Sequence, residues 1–168
     1  SARPSPRVLW KILVQSGSIG RTMLRGHHPA RIDEKGRLKI PAAFLGALTE
    51  SSREFFVTSI AGDFVRIYPL PAWIEIEKRL ASMPQAHPAR QRFLERVNFF
   101  GQVAPIDAQG RVLIPQILRK MASMEGEVAV LGQQNHVAVW NSKRLEERLF
   151  EKDPFTEDDA KHLAEFGI

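Results

Sequence analysis

The chain has 168 residues, 43% hydrophobic and 26% charged, enough for one compact domain or two small ones. It contains no cysteine, which excludes a disulfide scaffold and a thiolate metal site and fits a reducing cytosol. No run of about 18 apolar residues is present, so no bilayer-spanning helix is available, and the net charge of +5 turns attention to where the positive charge gathers.

Residues 1–22 hold Arg3, Arg7, Lys11 and Arg21, no acid, and no fold signal. The apolar stretch over residues 8–14 is too short for a signal-peptide core, and no Ala-x-Ala site follows it. These residues are set apart as an N-terminal extension, disordered or foreign to the natural protein. The rest of the chain carries 20 basic and 19 acidic residues and is close to neutral.

From Met23 to Pro41 the pattern reads as strand, turn and strand, and residues 41–45 open a short helix. Residues 55–58 and 64–68 form two strands about a turn at Ala61-Gly62-Asp63. Pro71 marks a helix start, with Trp73, Ile74, Glu77, Leu80 and Ala81 at helical spacing until Pro84. Residues 83–88 connect to a second helix over residues 89–100, with Phe93, Leu94 and Val97 inward. Then the order repeats: strand to Ile106, turn, strand over residues 112–114, a helix from Pro115, and a hairpin from residues 127–131 and 136–140. Asn141 caps a helix through Leu145 and Leu149, and Thr156 caps a final one. Residues 146–168 hold eight acids against three bases, a tail that would stay off DNA.

The repeated unit is explicit in the residues. Ile32-Asp33-Glu34-Lys35-Gly36-Arg37-Leu38-Lys39-Ile40-Pro41 aligns without a gap, at an offset of 74, with Ile106-Asp107-Ala108-Gln109-Gly110-Arg111-Val112-Leu113-Ile114-Pro115, matching at six of ten positions. Asp-x-x-Gly-Arg between apolar residues is a tight turn: the Asp accepts from a backbone N–H two residues on, and the Gly supplies positive φ. The following Arg either pairs with that Asp or points outward with its guanidinium free. Two equivalent sets of strands imply a mainly β fold with attached helices.

Charge separates the repeats. Residues 21–41 balance to +4, with Arg31, Lys35, Arg37 and Lys39 about the first turn and Arg25, near the start of the stretch, a further candidate DNA contact, whereas residues 101–119 balance to +1. A contact with phosphates therefore falls to the first repeat. Asp33, Gly36, Asp107, Gly110 and Arg111 read as structural turn residues. His27 and His28 are adjacent, point to opposite faces of a strand and do not suit a shared metal ion. No nucleophile elbow, phosphate loop or catalytic carboxylate pair is recognisable, so neither a catalytic site nor a cofactor is expected. Trp73 and Trp140 are assigned to the core.

Met23-Leu24-Arg25-Gly26, the two turn motifs, Tyr68-Pro69-Leu70-Pro71-Ala72-Trp73 and Val130-Leu131-Gly132-Gln133, in that order, make the sequence resemble the MraZ family of bacterial transcriptional regulators, from about Met23 to about Leu149. The resemblance implies a tandem AbrB-like swapped-hairpin β-barrel: a first AbrB-like (SpoVT-AbrB) domain over residues 23–74, a helical connector over 75–100, a second domain over 101–144 and an acidic helical tail over 145–168. It implies a cytoplasmic, nucleoid-associated DNA-binding repressor of its own cell-division and cell-wall operon. Its partners would be double-stranded DNA carrying direct promoter repeats, and further copies of itself in a ring, with no membrane. In AbrB-like families arginines of the first turn region reach DNA, a role carried here onto Arg37 and its basic neighbours. Exposed strand edges in each half call independently for a closed oligomer. The rival readings are a ring-shaped interaction scaffold and a small β-barrel enzyme.

Overall fold

The computed structural model describes residues 23–168, and the N-terminal extension lies outside them. The first half runs β1 (His27–Ile32), β2 (Arg37–Lys39), α1 (Ala42–Thr49), β3 (Glu54–Thr58), β4 (Val65–Pro69) and α2 (Leu70–Ala81). Helix α3 (Pro88–Phe100) leads into β5 (Gln102–Pro105), β6 (Arg111–Leu113), α4 (Gln116–Met121), β7 (Gly126–Gly132), β8 (Val137–Asn141) and α5 (Ser142–Glu147). The expected continuation of α5 through Leu149 is instead a π-helical turn, Arg148–Lys152, before α6 (Glu157–Ala164). Pro41 and Pro115 stand one place before their helices, at extended ψ angles of 137° and 140°, so each ends a strand and aims the following helix.

The eight strands form one antiparallel sheet in the order β5-β3-β4-β8-β7-β1-β2-β6. The halves exchange strands. β1 pairs with β7, placing Ala30 opposite Val128, and β5 pairs with β3, placing Ala104 opposite Phe55. Two pairings join like to like: β2 with β6 at Leu38 and Val112, and β4 with β8, where Val65 faces Val139 and Ile67 faces Val137. Beside the first of these, Ile40 donates to the Gly110 carbonyl and Ile114 to the Gly36 carbonyl, both at 2.9 Å. Each half thus completes the other about an approximate two-fold relation.

Alternation along the strands sorts side chains between two environments. Phe55, Val57, Val65, Ile67, Val137 and Val139 point into the barrel, joined there by Leu38, Ile40, Val112 and Ile114. On the outer face Phe56, Tyr68 and Trp73 pack with Val97, seating one face of α2 and of α3 on the sheet, while Ala138, Trp140 and Leu145 hold α5. The centre of the sheet is therefore apolar on both faces. Trp73 stacks on Phe56 with centroids 4.6 Å apart, and Trp140 on Phe64 at 4.5 Å.

One expectation is overturned. The end strands β5 and β6 lie beside each other and nearly close the sheet into a barrel, so a single chain protects most of its own strand edges. Exposed edges therefore do not by themselves call for an oligomer. What the fold leaves uncovered is apolar surface at the C-terminal end: Phe150, Phe155, Phe166 and Ile168 are each more than 70% exposed.

Candidate nucleic-acid interface

Each Asp-x-x-Gly-Arg turn is closed by the same set of bonds. Asp33 Oδ1 accepts from the N–H groups of Lys35 at 3.0 Å and Arg37 at 2.9 Å, and Oδ2 accepts from Arg37 Nε at 2.7 Å. Asp107 does the same with Gln109, Arg111 and Arg111 Nε, at 2.9, 2.9 and 2.8 Å. Gly36 and Gly110 occupy the left-handed region at φ of +83° and +73°, where an L side chain is strained. The backbone bond from Arg37, then its side chain and charge, hold the Asp33 carboxyl below the usual carboxylate range against the opposing effect of burial. At Asp107 burial is the largest influence and opposes ionisation, but the bonds from Arg111 and Gln109 outweigh it and the pKa is again lowered.

The two arginines differ in what remains free. Arg111 hydrogen-bonds through two of its three guanidinium nitrogens, Nε to Asp107 and Nη2 to Gln109 Oε1 at 2.5 Å, and its Nη1 lies 3.8 Å from Asp33, at ion-pair distance. Arg37 commits Nε to Asp33, and neither of its Nη groups has an acceptor among the described residues. Both turns thus belong to one surface, in which Arg111 ties the turns together and Arg37 presents donors.

The other basic residues named as candidate DNA contacts are dispersed. Lys35 is exposed at the tip. Arg31 is exposed on β1, opposite Glu127 of β7. Lys39 is drawn to the other turn: its ammonium donates to the Gln109 carbonyl and lies 3.7 Å from where a Cβ at Gly110 would stand. Counting it with the first turn follows sequence proximity, whereas the β2–β6 pairing carries it across. Arg25 is exposed at the opposite end of β1 from the turn, roughly 20 Å along six strand residues. His28 packs edge-on against Phe44 at 5.1 Å.

The pattern of two turn repeats in one strand-exchanged barrel can now be set beside known proteins. The family model "MraZ protein, putative antitoxin-like" matches residues 23–96 and again 102–166. The chain belongs to the MraZ family. It is 47% identical over 147 residues to the transcriptional regulator MraZ of Acidobacterium capsulatum, covering 87% of this chain and 100% of that protein. It is 44% identical over 148 residues to the regulator of the same name from Koribacter versatilis and 35% over 147 residues to that of Thermoanaerobacter pseudethanolicus, with the same coverage of both chains.

Within this MraZ-family chain, sequence reasoning passed over Arg119. At the offset of 74 it corresponds to Leu45, and each residue covers the turn of the opposite half. Leu45 lies 3.7 Å from a Cβ placed on Gly110, whereas a Cβ on Gly36 would collide with Arg119 Cζ and Nε. The alignment of the repeats held this signal: it puts an arginine against a leucine one helical turn beyond Pro115.

Proposed function

We propose that this protein is a DNA-binding transcriptional regulator whose first turn meets DNA phosphates, with Arg37 as its principal contact and Lys35 and Arg31 beside it. The relatives carry the name of transcriptional regulator, and the observation that carries the residue assignment is the contrast between Arg37, whose two Nη groups have no acceptor among the described residues, and Arg111, held by Gln109 through one Nη and near Asp33 through the other. A planar fork with donors to spare is suited to a phosphate diester. Lys39 extends the positive surface at the second turn; Arg25 stands outside it.

By the family resemblance the target is a set of direct repeats in the promoter of the protein's own cell-division and cell-wall operon, and the effect is repression. Several chains act together, in a ring. Two observations support association. The body is nearly neutral, so one turn holds DNA weakly at physiological salt, and linked turns on spaced repeats gain by effective concentration. The C-terminal Phe150, Phe155, Phe166 and Ile168 are left without cover by the described residues of one chain.

The test is fluorescence anisotropy of the full chain on a labelled duplex from its own promoter and on a shuffled duplex, at two salt concentrations. Tighter binding to the promoter, with affinity falling as salt rises, is the expected result. Equal and weak binding to both would overturn the reading in favour of a protein-interaction scaffold built on the exposed C-terminal surface.

A further inference from the structure

We propose that Arg119, in the second repeat, is a phosphate contact of the first turn, so that the DNA-binding surface is assembled from both halves of one chain. This rests on the reading that the first turn meets DNA. It adds a residue that lies 82 positions from Arg37 in sequence.

The internal comparison carries the inference. Leu45 and Arg119 occupy equivalent places: each donates its N–H to the carbonyl of the proline that precedes its helix, Leu45 to Pro41 at 3.1 Å and Arg119 to Pro115 at 3.0 Å. Leu45 shows that an aliphatic side chain suffices to cover the glycine of the opposite turn. Arginine at the corresponding place brings a charge that packing does not require.

That charge has no ion-pair partner among the described residues. Arg119 Nε is buried and has no hydrogen-bond partner among the described residues, and no carboxylate lies within 4.0 Å to form an ion pair with the guanidinium. The two Nη groups are not enclosed and likewise have no acceptor among the described residues. The guanidinium is fixed by its seat against Gly36, with its outer edge open beside the turn that carries Lys35 and Arg37. Lys120 borders the same groove, as do the carboxylates Asp33, Glu34 and Glu125. A buried or half-buried cation without an acceptor is unfavourable by itself, and an anion arriving from outside supplies what is missing. Since the groove also holds carboxylates, the anion is one already steered by the neighbouring turn, a backbone phosphate, rather than a free small molecule.

The arrangement is reciprocal. The first turn receives Arg119 from α4 of the second half, and the second turn receives Lys39 from β2 of the first. Lys39 finds an acceptor within the protein, the Gln109 carbonyl, whereas Arg119 finds none among the described residues, which assigns the open site to the first turn.

The experiment compares the wild-type chain with Arg119→Met and Arg119→Lys by anisotropy on the promoter duplex across a range of salt, with thermal unfolding as a check on folding. Met retains a long cover for Gly36 without charge, and Arg119→Met is expected to bind several-fold more weakly. Its plot of log affinity against log salt should be shallower by about one for each bound chain. Arg119→Lys, keeping charge without the planar fork, should hold the wild-type slope with a smaller loss of affinity. Wild-type affinity and slope in a folded Arg119→Met variant would overturn the proposal while leaving the general reading intact. Should Arg119→Met prove unstable, a third variant, the uncharged Arg119→Gln, decides: wild-type affinity and slope in the folded Arg119→Gln chain overturn the proposal. A wild-type chain that binds no duplex at either salt extreme would remove both.

Discussion

Asp33 and Asp107 close their own turns alike, yet the arginines that follow them have diverged in their partners, and this separates two effects that a sequence comparison would merge. Arg111 touches both aspartates and Gln109, so Arg111→Ala should lower the unfolding temperature more than Arg37→Ala does. Arg37→Ala should weaken promoter binding more. Calorimetry and anisotropy on both folded variants check the crossover, and a greater loss of binding from Arg111→Ala would refute it. The glycines allow a parallel comparison. Either alanine substitution forces a left-handed residue and should cost roughly 1–2 kcal/mol in urea unfolding. Gly110→Ala meets ordinary contacts at 3.7 Å, but Gly36→Ala must also dislodge Arg119. Gly36→Ala should therefore lose DNA affinity as well, while Gly110→Ala keeps most of it.

Between elements, the docking of α3 on the barrel combines apolar burial with one buried polar bond. Thr58 is 1% exposed, and its Oγ1 donates to the Val97 carbonyl at 2.7 Å in the last turn of that helix. Thr58→Val keeps the shape, removes the donor and strands a buried acceptor. It should cost about 1–3 kcal/mol, measured by urea denaturation, and an unchanged midpoint would show that the carbonyl is satisfied otherwise. The C-terminal elements follow local rules instead. Asn141 caps α5 through Arg144 N at 3.1 Å, and Thr156 and Asp159 cap α6 reciprocally at 2.8 and 3.1 Å. Arg148, at the start of the π-helical turn, lies over the Trp140 ring at 5.3 Å.

For the molecule as a whole, strand exchange makes the halves interdependent. Residues 23–100 alone leave β1 without β7 and β3 without β5. Expressed separately, this fragment should show little fixed structure by circular dichroism and regain it when mixed with residues 101–168; a cooperatively folding isolated half would contradict the exchange. Acidity probes the same junction. His136, near β8 of the second half, stacks on Tyr68 of the first at 4.3 Å, and burial, aided by Arg66, lowers its pKa from 6.5 to about 4. A depressed histidine pKa favours the neutral form in the folded state, so the unfolded chain takes up the proton first. Stability should fall as pH drops from about 6.5 towards about 4 and level off below. Asp33 and Asp107 act lower: their stabilising ionisation is present above 3.8 and is lost as pH falls through their lowered pKa values. Unfolding temperatures measured from pH 7 to 4.5 for the wild type and His136→Phe should show a slope in the first and a flatter line in the second.

How much was legible without coordinates follows from the range of the forces involved. The repeated turn, the helix caps, the alternating strands and the assignment of Trp73 and Trp140 to the core depend on residues near one another in sequence, and so does the family resemblance they carry. The amino-acid sequence alone therefore determined a duplicated, mainly β chain with helices attached and two Asp-Arg turns of unequal charge. Partners across the barrel were another matter. Lys39 reads as part of the first turn until the pairing of β2 with β6 carries its ammonium to the second. Arg119 reads as a helical residue of the second repeat until the same pairing sets it on Gly36. The strand edges look open until β5 and β6 meet. For Lys39 and Arg119 the deciding contacts join positions 70 and 83 residues apart; β5 and β6 are neighbours in sequence but become the two ends of one sheet only because β5 pairs with β3 and β6 with β2. Such contacts follow from which strand each half lends to the other, and that exchange is decided by burying a shared apolar interior, which only the tertiary structure displays.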